Sequence, residues 1–145
     1  MERTSAKATV VAAPAEVMAV IADFAAYPSW ASGVKRAEVV EDGPGGRPRR
    51  VRFELETGPV HDTYELAYSW DGDRSVSWEL VAGEMQRAQQ GSYELREADG
   101  GTEVTYSLAV ELAVPMPGLV KRQAEKRIIG AALDGLRKRV AAARR

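Results

Sequence analysis

The chain contains a single histidine, His61, which stands directly beside a carboxylate, Asp62. This pair invites an acid–base interpretation, because imidazole titrates near neutral pH and a carboxylate can orient it. Both residues lie in a segment of alternating apolar and polar residues, where neighbouring side chains point to opposite faces. By parity with Tyr64 and Leu66, we expect Asp62 to point inward and His61 to point into solvent. A histidine relay to a nucleophile is therefore not predicted.

Asp62 is the more informative candidate, because a carboxylate on an apolar face must be paired, hydrogen-bonded or protonated. The same parity, counted back from Tyr93, places Gln89 and Arg87 on the inward face unless a β-bulge intervenes. Arg87 could then pair with Asp62, or bind the carboxylate or phosphate of a ligand. The alternative is an ordinary ion pair near water at the open end of the sheet.

Several aromatic side chains with polar tips fall on predicted inward positions: Tyr64, Tyr68, Trp78, Tyr93 and Tyr106. A core that needs only filling is built more simply from leucine and phenylalanine, so these hydroxyl and indole donors could orient a ligand. Plain core packing is the alternative. Inward parity and the apolar stripe of the last helix together give the candidate ligand contacts: Phe53, Tyr64, Leu66, Trp78, Gln89, Tyr93, Tyr106, Leu108, Ile128 and Ala132, with Met116 at the start of that helix.

Segments of alternating apolar and polar residues, separated by turn residues, predict antiparallel strands joined by hairpins. They span residues 6–12, 34–41, 49–56, 60–70, 75–81, 87–97 and 102–114. A helix beginning at Pro14 and a second, short helix near Tyr27 and Trp30 lie between the first two strands. We expect Tyr27 and Trp30 to be structural, with a place at a cavity entrance as the alternative. The pattern predicts an α+β fold with one curled sheet.

The last helix, predicted over residues 118–142, carries an apolar stripe of unusual composition. The stripe consists of Val120, Ala124, Ile128, Ala132, Leu136 and Val140, widened by Ile129 and Leu133. One helix about 10 Å across cannot cover six hairpin-linked strands, which span roughly 24 Å. Gly130 and Gly135 also make the centre of the helix small, so that it either approaches another backbone closely or leaves a space. We interpret the helix as the lid of a hydrophobic cavity.

The composition excludes several kinds of site. Because the chain has no cysteine, disulfides, thiolate metal sites and cysteine nucleophiles are excluded, and a single histidine argues against any metal site. Residues 43–46 are rich in glycine but lack the pattern of a phosphate-binding loop. We expect neither a metal nor a cofactor. We also expect a cytoplasmic protein, since no signal sequence or membrane-spanning run is apparent, and we take a monomer as the default.

Charge is distributed unevenly along a chain whose net charge is −1. From Gly118 onward there are 9 basic and 2 acidic residues, whereas the first 117 residues hold 11 basic and 19 acidic ones. The last helix is therefore a basic rod beside an acidic body, which is typical of electrostatic fit within a fold and a solvated face. The alternative is transient contact with an anionic membrane or with RNA. No contact with DNA is expected.

The element order β-α-α-β6-α resembles the helix-grip fold of the START and birch-pollen-allergen superfamily, also called SRPBCC. Within it, the chain is most similar to the bacterial polyketide cyclase/dehydrase and coenzyme-Q-binding branch, through residues 13–17, 21–30, 91–95, 104–106 and 121–140. The resemblance covers nearly the whole chain and implies a single START-like domain over residues 1–145. It also implies a curved antiparallel sheet around a long C-terminal helix, with a cavity for lipids, isoprenoid quinones, sterols, hormones or polyketides.

Three functions remain open. The first is binding or transport of a hydrophobic small molecule, such as a lipid, an isoprenoid quinone or a polyketide-like compound. The second is a polyketide cyclase, aromatase or dehydratase, in which Asp62 is the acid or base, Arg87 polarises a carbonyl and a tyrosine assists enol formation. The third is an interaction module that uses the basic last helix. We rank the non-catalytic carrier first, because the sequence shows no dedicated catalytic constellation and the fold alone cannot assign an activity.

Overall fold

All of the predicted strands form, and together they make one antiparallel sheet of seven strands. The computed structural model describes residues 2–57, 60–114 and 117–143. The strands are β1 (Thr4–Val10), β2 (Val34–Asp42), β3 (Pro48–Thr57), β4 (Val60–Asp71), β5 (Ser75–Gly83), β6 (Gln86–Ala98) and β7 (Gly101–Leu112). Their order across the sheet is β1-β7-β6-β5-β4-β3-β2. Every predicted strand boundary lies within two residues of the observed one.

The first strand closes one edge of the sheet. β1 pairs with β7, with Ala6 opposite Tyr106, while β2 forms the other edge beside β3. The sheet therefore has seven strands, one more than the six whose width was compared with that of the last helix to predict a hollow. Because β1 and β2 lie at opposite edges, the chain between them must cross the concave side, and the short helices lie in this crossing.

The crossing consists of two helices separated by a tight turn. α1 (Pro14–Ala22) has proline in its first turn, where the missing N–H costs nothing, and it buries Val17 and Ile21 completely. A single 3₁₀ turn (Phe24–Ala26) leads into α2 (Tyr27–Trp30). The Tyr27 hydroxyl donates a 2.5 Å hydrogen bond to the backbone carbonyl of Ile21. That bond fixes the angle between the two helices.

The long C-terminal helix α3 (Gly118–Ala143) buries a stripe that differs from the predicted one. The buried residues are Glu125, Ile129, Leu133, Leu136 and Val140. The second half of the predicted stripe is confirmed, but the first half is wrong. Val120 and Ile128 are 48% and 49% exposed, and Ala124 is exposed as well.

A buried carboxylate sets the rotation of α3. Glu125 accepts hydrogen bonds from the Thr4 hydroxyl and from the backbone N–H of Val110, each at 2.9 Å. The pairing of β1 with β7 stops at Thr4 and Leu108, so the Val110 N–H lies beyond the reach of β1. An unpaired buried N–H is costly, and the Glu125 carboxylate satisfies it. Hydrophobic periodicity alone could not predict this glutamate on the buried face.

The two central glycines of α3 have different surroundings. A Cβ atom on Gly135 would lie 2.5 Å from the backbone carbonyl oxygen of Trp30, whereas a Cβ on Gly130 would have no neighbour within 4 Å. Gly135 therefore allows the backbones of α3 and α2 to approach closely. Of the two alternatives for the small centre of the helix, the close backbone approach is confirmed at Gly135, whereas Gly130 faces solvent and leaves no space above the sheet.

We expect opposite effects from alanine at these two glycines. Gly135→Ala should lower the free energy of unfolding by about 1–3 kcal/mol, because it forces α2 and α3 apart. Gly130→Ala, the matched control in the same helix, should raise it by up to about 1 kcal/mol through helix propensity. Urea denaturation of both variants measures the difference, and equal effects would contradict the close contact.

Aromatic side chains fill one half of the concave face. The set, which we call the aromatic cluster, consists of Phe24, Tyr68, Trp70, Trp78, Tyr93 and Tyr106. Ring centroids are 4.9 Å apart between Phe24 and Tyr68 and 4.6 Å apart between Tyr93 and Tyr106. The expected hollow beneath the whole of α3 is therefore wrong for this half, because the sheet's own side chains supply the volume that a single helix cannot.

The convex face of the sheet is polar, as the strand alternation predicts. On β4, Glu65 forms ion pairs with Arg50 and Arg52 of β3, the second at 3.6 Å. On α3, Arg122 pairs with Glu2 at 2.7 Å, and it is the only basic residue of that helix with an ion pair to the sheet side among the described residues. Within residues 2–57, 60–114 and 117–143, no helix is long and apolar enough to cross a bilayer.

Candidate functional site

The other half of the concave face is open. It lies where β2, β4 and β6 begin and where β3, β5 and β7 end. Inward residues there are only partly buried, and we call this region the mouth: Leu55, Tyr64, Leu80, Gln89 and Val110. Deeper on the same strands, Phe53, Val76 and Val104 are almost fully buried. A ligand could therefore reach the mouth without displacing the core.

An open groove of about 660 Å³ lies at the same end of the sheet. Its lining comes from α2, the start of β2 and the end of β3: Pro28, Ser29, Trp30, Ala31, Ser32, Gly33, Val34, Lys35 and Glu56. The Trp30 ring also packs against Tyr27, with centroids 4.7 Å apart. The alternative place expected for Tyr27 and Trp30 from the sequence is a cavity entrance. The position of Trp30 in the groove lining agrees with that alternative.

One flank of α3 borders the mouth. Gly135 contacts Trp30, and Ala132 and Ile128 precede it by three and seven residues, which places all three on one flank of the helix. Ala132 is partly buried against the core, whereas Ile128 is half exposed. Ile128 is therefore a residue of the entrance and not of the buried stripe.

Four tyrosine hydroxyls make no hydrogen bond to any described residue: those of Tyr64, Tyr68, Tyr93 and Tyr106. None of these oxygens is among the fully enclosed polar atoms of the described residues, so each borders space that a water-sized molecule can reach. Burial raises the pKa of each of the four, and nearby tyrosine hydroxyls add to the rise for Tyr68, Tyr93 and Tyr106. These mutual effects place the hydroxyls of Tyr68, Tyr93 and Tyr106 near one another on the concave face.

Four other polar atoms are fully enclosed and lack a hydrogen-bond partner in the part of the chain that the structure describes. They are the indole nitrogens of Trp30 and Trp78 and the side-chain carbonyl oxygens of Gln86 and Gln89. Buried polar groups in proteins are almost always hydrogen-bonded, so each exception needs a partner from outside the chain. Water or a polar group on a ligand would supply it.

The structure confirms the predicted orientation of the His61–Asp62 pair. Asp62 is 5% exposed and faces inward, whereas the His61 side chain is exposed and lies 3.8 Å from Glu56. The Asp62 carboxylate accepts a 3.1 Å hydrogen bond from the backbone N–H of Met85 and a 3.0 Å bond from the Gln86 side-chain amide. The carboxylate also raises the pKa of Tyr64, after the larger effect of burial.

The predicted inward position of Arg87 is wrong. The pairing of β6 with β7 shifts register between Gln86 and Ala88, so the side chains reverse faces at this irregularity. Gln86 takes the inward position, and Arg87 is exposed, 3.9 Å from Glu111 and within 3.5 Å of the Ala113 carbonyl oxygen. The acid–base pair of Asp62 and Arg87 is therefore not assembled.

Comparison with known families agrees with this architecture. The family described as "Polyketide cyclase / dehydrase and lipid transport" matches residues 1–141. The chain belongs to this family. A comparison with curated proteins finds no match.

Solved structures show the same helix-grip fold as this family member. A START superfamily protein from Mycobacterium smegmatis superposes with a TM-score of 0.90 at 20% identity, covering 97% of this chain and 98% of that one. The ZhuI aromatase/cyclase from a Streptomyces species gives 0.84 at 16% identity, covering 99% and 96%. A Thermus thermophilus protein gives 0.82 at 22% identity, covering 98% and 99%. At these identities the similarity shows the fold alone.

The candidate ligand contacts of this polyketide cyclase/dehydrase family member fall into three groups. Six of them are buried on the concave face or below it: Phe53, Leu66, Trp78, Tyr93, Tyr106 and Leu108. In the mouth or along its α3 flank are Tyr64, Gln89, Ile128 and Ala132. Met116 lies outside the described residues. Sequence reasoning missed Gln86, because the irregularity that turns it inward has no local sequence signal.

The basic residues of α3 are mostly solvated. Lys126, Arg127 and Arg137 are exposed and form no ion pair with any described residue, while Lys138 pairs with Asp134 of the same helix at 3.1 Å. The electrostatic attraction between the basic helix α3 and the acidic remainder of the chain thus depends mainly on the ion pair of Arg122. Contact of this helix with an anionic membrane stays a prediction.

Proposed function

We propose that this protein binds an apolar small molecule with polar substituents in the mouth, between the sheet and the flank of α3, and carries it without converting it. The observation that supports this is the combination of accessible tyrosine hydroxyls with enclosed, unpartnered indole and amide groups in an apolar, aromatic surface. Such a surface gains affinity from burial, and a few polar groups set the ligand's orientation.

Burial alone could supply a useful affinity. A ligand that buries about 300 Å² of apolar surface gains roughly 7 kcal/mol at 25 cal/mol per Å², before the entropy of association is subtracted. Hydrogen bonds to the orphan groups would add affinity, because these groups currently lack partners. The burial and the hydrogen bonds together must exceed the entropy of association for the ligand to bind.

Catalysis in the same space is the second candidate, favoured by the buried carboxylate of Asp62 near Tyr64. We rank it below the carrier, because the Arg87 guanidinium that would polarise a carbonyl lies outside the mouth. Among the described residues, the groups that contact Asp62 are the Met85 and Gln86 N–H donors, which hold a carboxylate in place and supply no proton acceptor or second acid.

We expect the neutral fluorophore N-phenyl-1-naphthylamine to bind saturably, with enhanced and blue-shifted emission. Ala132→Trp, which fills the mouth from the α3 flank, should weaken this binding at least tenfold. Ala131→Trp is the matched control, because Ala131 is exposed on the neighbouring position of the helix. No saturable binding by the unmodified protein, or equal binding by both variants, would overturn the proposed site.

A further inference from the structure

A buried negative charge, the Asp62 carboxylate, lies at the end of the mouth. Both oxygens of Asp62 accept hydrogen bonds from N–H groups, one from Met85 and one from Gln86. Hydrogen bonds from N–H donors stabilise the negative charge of a carboxylate. No lysine, arginine or histidine among the described residues forms an ion pair with it. The charge is held by hydrogen bonds and is not neutralised.

An acceptor without a partner lies beside this charge. The Gln86 amide donates its N–H to Asp62, which leaves its carbonyl oxygen enclosed and without a partner. Three residues further along β6, the carbonyl oxygen of Gln89 is also enclosed and has no partner among the described residues. A ligand hydroxyl or amine can donate to these oxygens. A ligand carboxylate cannot donate to them, and it brings a second negative charge that the tyrosine hydroxyls and indole N–H groups of the site do not neutralise.

The cations around the mouth do not compensate for Asp62. Lys35, which lines the groove, lies 3.4 Å from the Glu56 carboxylate. Arg87 is turned to the outside near Glu111. Lys121 lines a separate small pocket on the β1 side of α3. Among the described residues, none of these three cations forms an ion pair with Asp62.

We infer that Asp62, together with Gln86 and Gln89, selects ligands whose polar end is an uncharged hydrogen-bond donor, such as an alcohol or a phenol, and rejects carboxylates such as fatty acids. Asp62 is then a specificity-determining residue that repels anions and receives O–H groups. The inference rests on the proposed function, since it names the class of ligand that the same site takes.

The test is displacement of N-phenyl-1-naphthylamine by 1-dodecanol and by dodecanoate, which share a chain length and differ in the polar end. The pH is one at which dodecanoate is ionised. We expect dodecanol to bind at least tenfold more tightly, which corresponds to about 1.4 kcal/mol. Asp62→Asn should reduce that preference to less than about threefold by tightening the binding of dodecanoate.

Asp62→Asn is chosen because it preserves the local hydrogen bonds. The new amide can donate to the orphan carbonyl oxygen of Gln86 once the Gln86 amide rotates, and its own oxygen still accepts from Met85. Glu84→Gln is the matched control, since it removes one negative charge from the exposed turn between β5 and β6, next to the Met85 and Gln86 donors. Near-UV circular dichroism verifies that both variants keep the native packing.

The possible failures are distinguishable. Equal affinity for the alcohol and the carboxylate, an unchanged preference in Asp62→Asn, or an equal loss of preference in Glu84→Gln would overturn the selection by Asp62 and leave the carrier function intact. If neither compound nor the naphthylamine binds to the unmodified protein, both the selection and the proposed function are overturned.

Discussion

Raising the pH above 10 is expected to unfold this protein over a narrow interval. Burial raises the pKa of every tyrosine in the chain, namely Tyr27, Tyr64, Tyr68, Tyr93 and Tyr106, above the value of 10.0 for an exposed phenol. Below pH 10 these hydroxyls are protonated in both the folded and the unfolded chain, so stability is unaffected. Above it, the unfolded chain releases protons that the folded chain retains. The free energy of unfolding therefore falls as the pH rises.

The expected effect is large because five groups titrate together. Each proton that the folded chain retains and the unfolded chain has lost costs about 1.4 kcal/mol of stability per pH unit, so five cost about 7 kcal/mol per unit. A domain of this size is stable by about 5–15 kcal/mol, so unfolding should be complete within about two units above pH 10. Tyrosinate absorbance and near-UV circular dichroism, followed in one titration, should change together.

Tyr68→Phe is the matched variant for this titration. It removes one buried phenol whose hydroxyl makes no hydrogen bond to a described residue, so it leaves no unpaired protein group behind. The pH dependence of its unfolding free energy should be about one fifth shallower, and its alkaline midpoint should move to higher pH. If several tyrosines ionise near pH 10 while the near-UV spectrum stays native, the hydroxyls are not held in the buried environment described here.

Strand positions and facing could be predicted from the sequence, because both depend on local alternation. Asp62, Tyr64 and Leu66 share one face and His61 takes the other, since successive strand residues must point in opposite directions. This count fails wherever a register irregularity occurs. A single shift near Gln86 turned Arg87 outward and with it removed the predicted catalytic pair.

The rotation of α3 and the filling of the hollow could not be predicted in this way, because they depend on partners far apart in the chain. Glu125 is buried because an N–H on β7 has no strand to pair with, and Gly135 is small because the Trp30 carbonyl lies against it. The width argument for a hollow compared one helix with a flat sheet. It left out the side-chain volume of the aromatic cluster, which occupies half of the concave face.

Gly91→Ala is expected to destabilise the protein by about 1–3 kcal/mol or more and to weaken ligand binding at the same time. Gly91 lies in the middle of β6, directly opposite Trp78 on β5. A Cβ atom there would lie 2.6 Å from the indole nitrogen and closer still to two ring carbons. Glycine in a strand interior is otherwise unfavourable, so its presence here is explained by the indole ring that lies on it.

The Trp78 indole ring cannot move freely, because neighbouring aromatic rings pack against it. Its centroid lies 5.6 Å from that of Tyr68, 5.5 Å from that of Tyr93 and 5.7 Å from that of Tyr106. Alanine at residue 91 must therefore push the indole either into these rings, which costs stability, or toward the mouth, which takes space from the ligand. Urea denaturation and the naphthylamine titration measure the two consequences separately.

A double-mutant cycle isolates the contact itself. Trp78→Phe alone should destabilise the protein by leaving a cavity, whereas in the Gly91→Ala background the smaller ring makes room for the new methyl group. The two substitutions should therefore couple favourably by at least about 1 kcal/mol, as residues in direct contact do. Additive effects would show that the absence of a Cβ atom at Gly91 is not explained by contact with the indole ring. The packing of Trp78 against β6 would then need another explanation. Coupling of the expected sign would show instead that the missing Cβ atom at Gly91 makes room for the Trp78 ring, and the naphthylamine titration then tests whether a displaced ring enters the mouth.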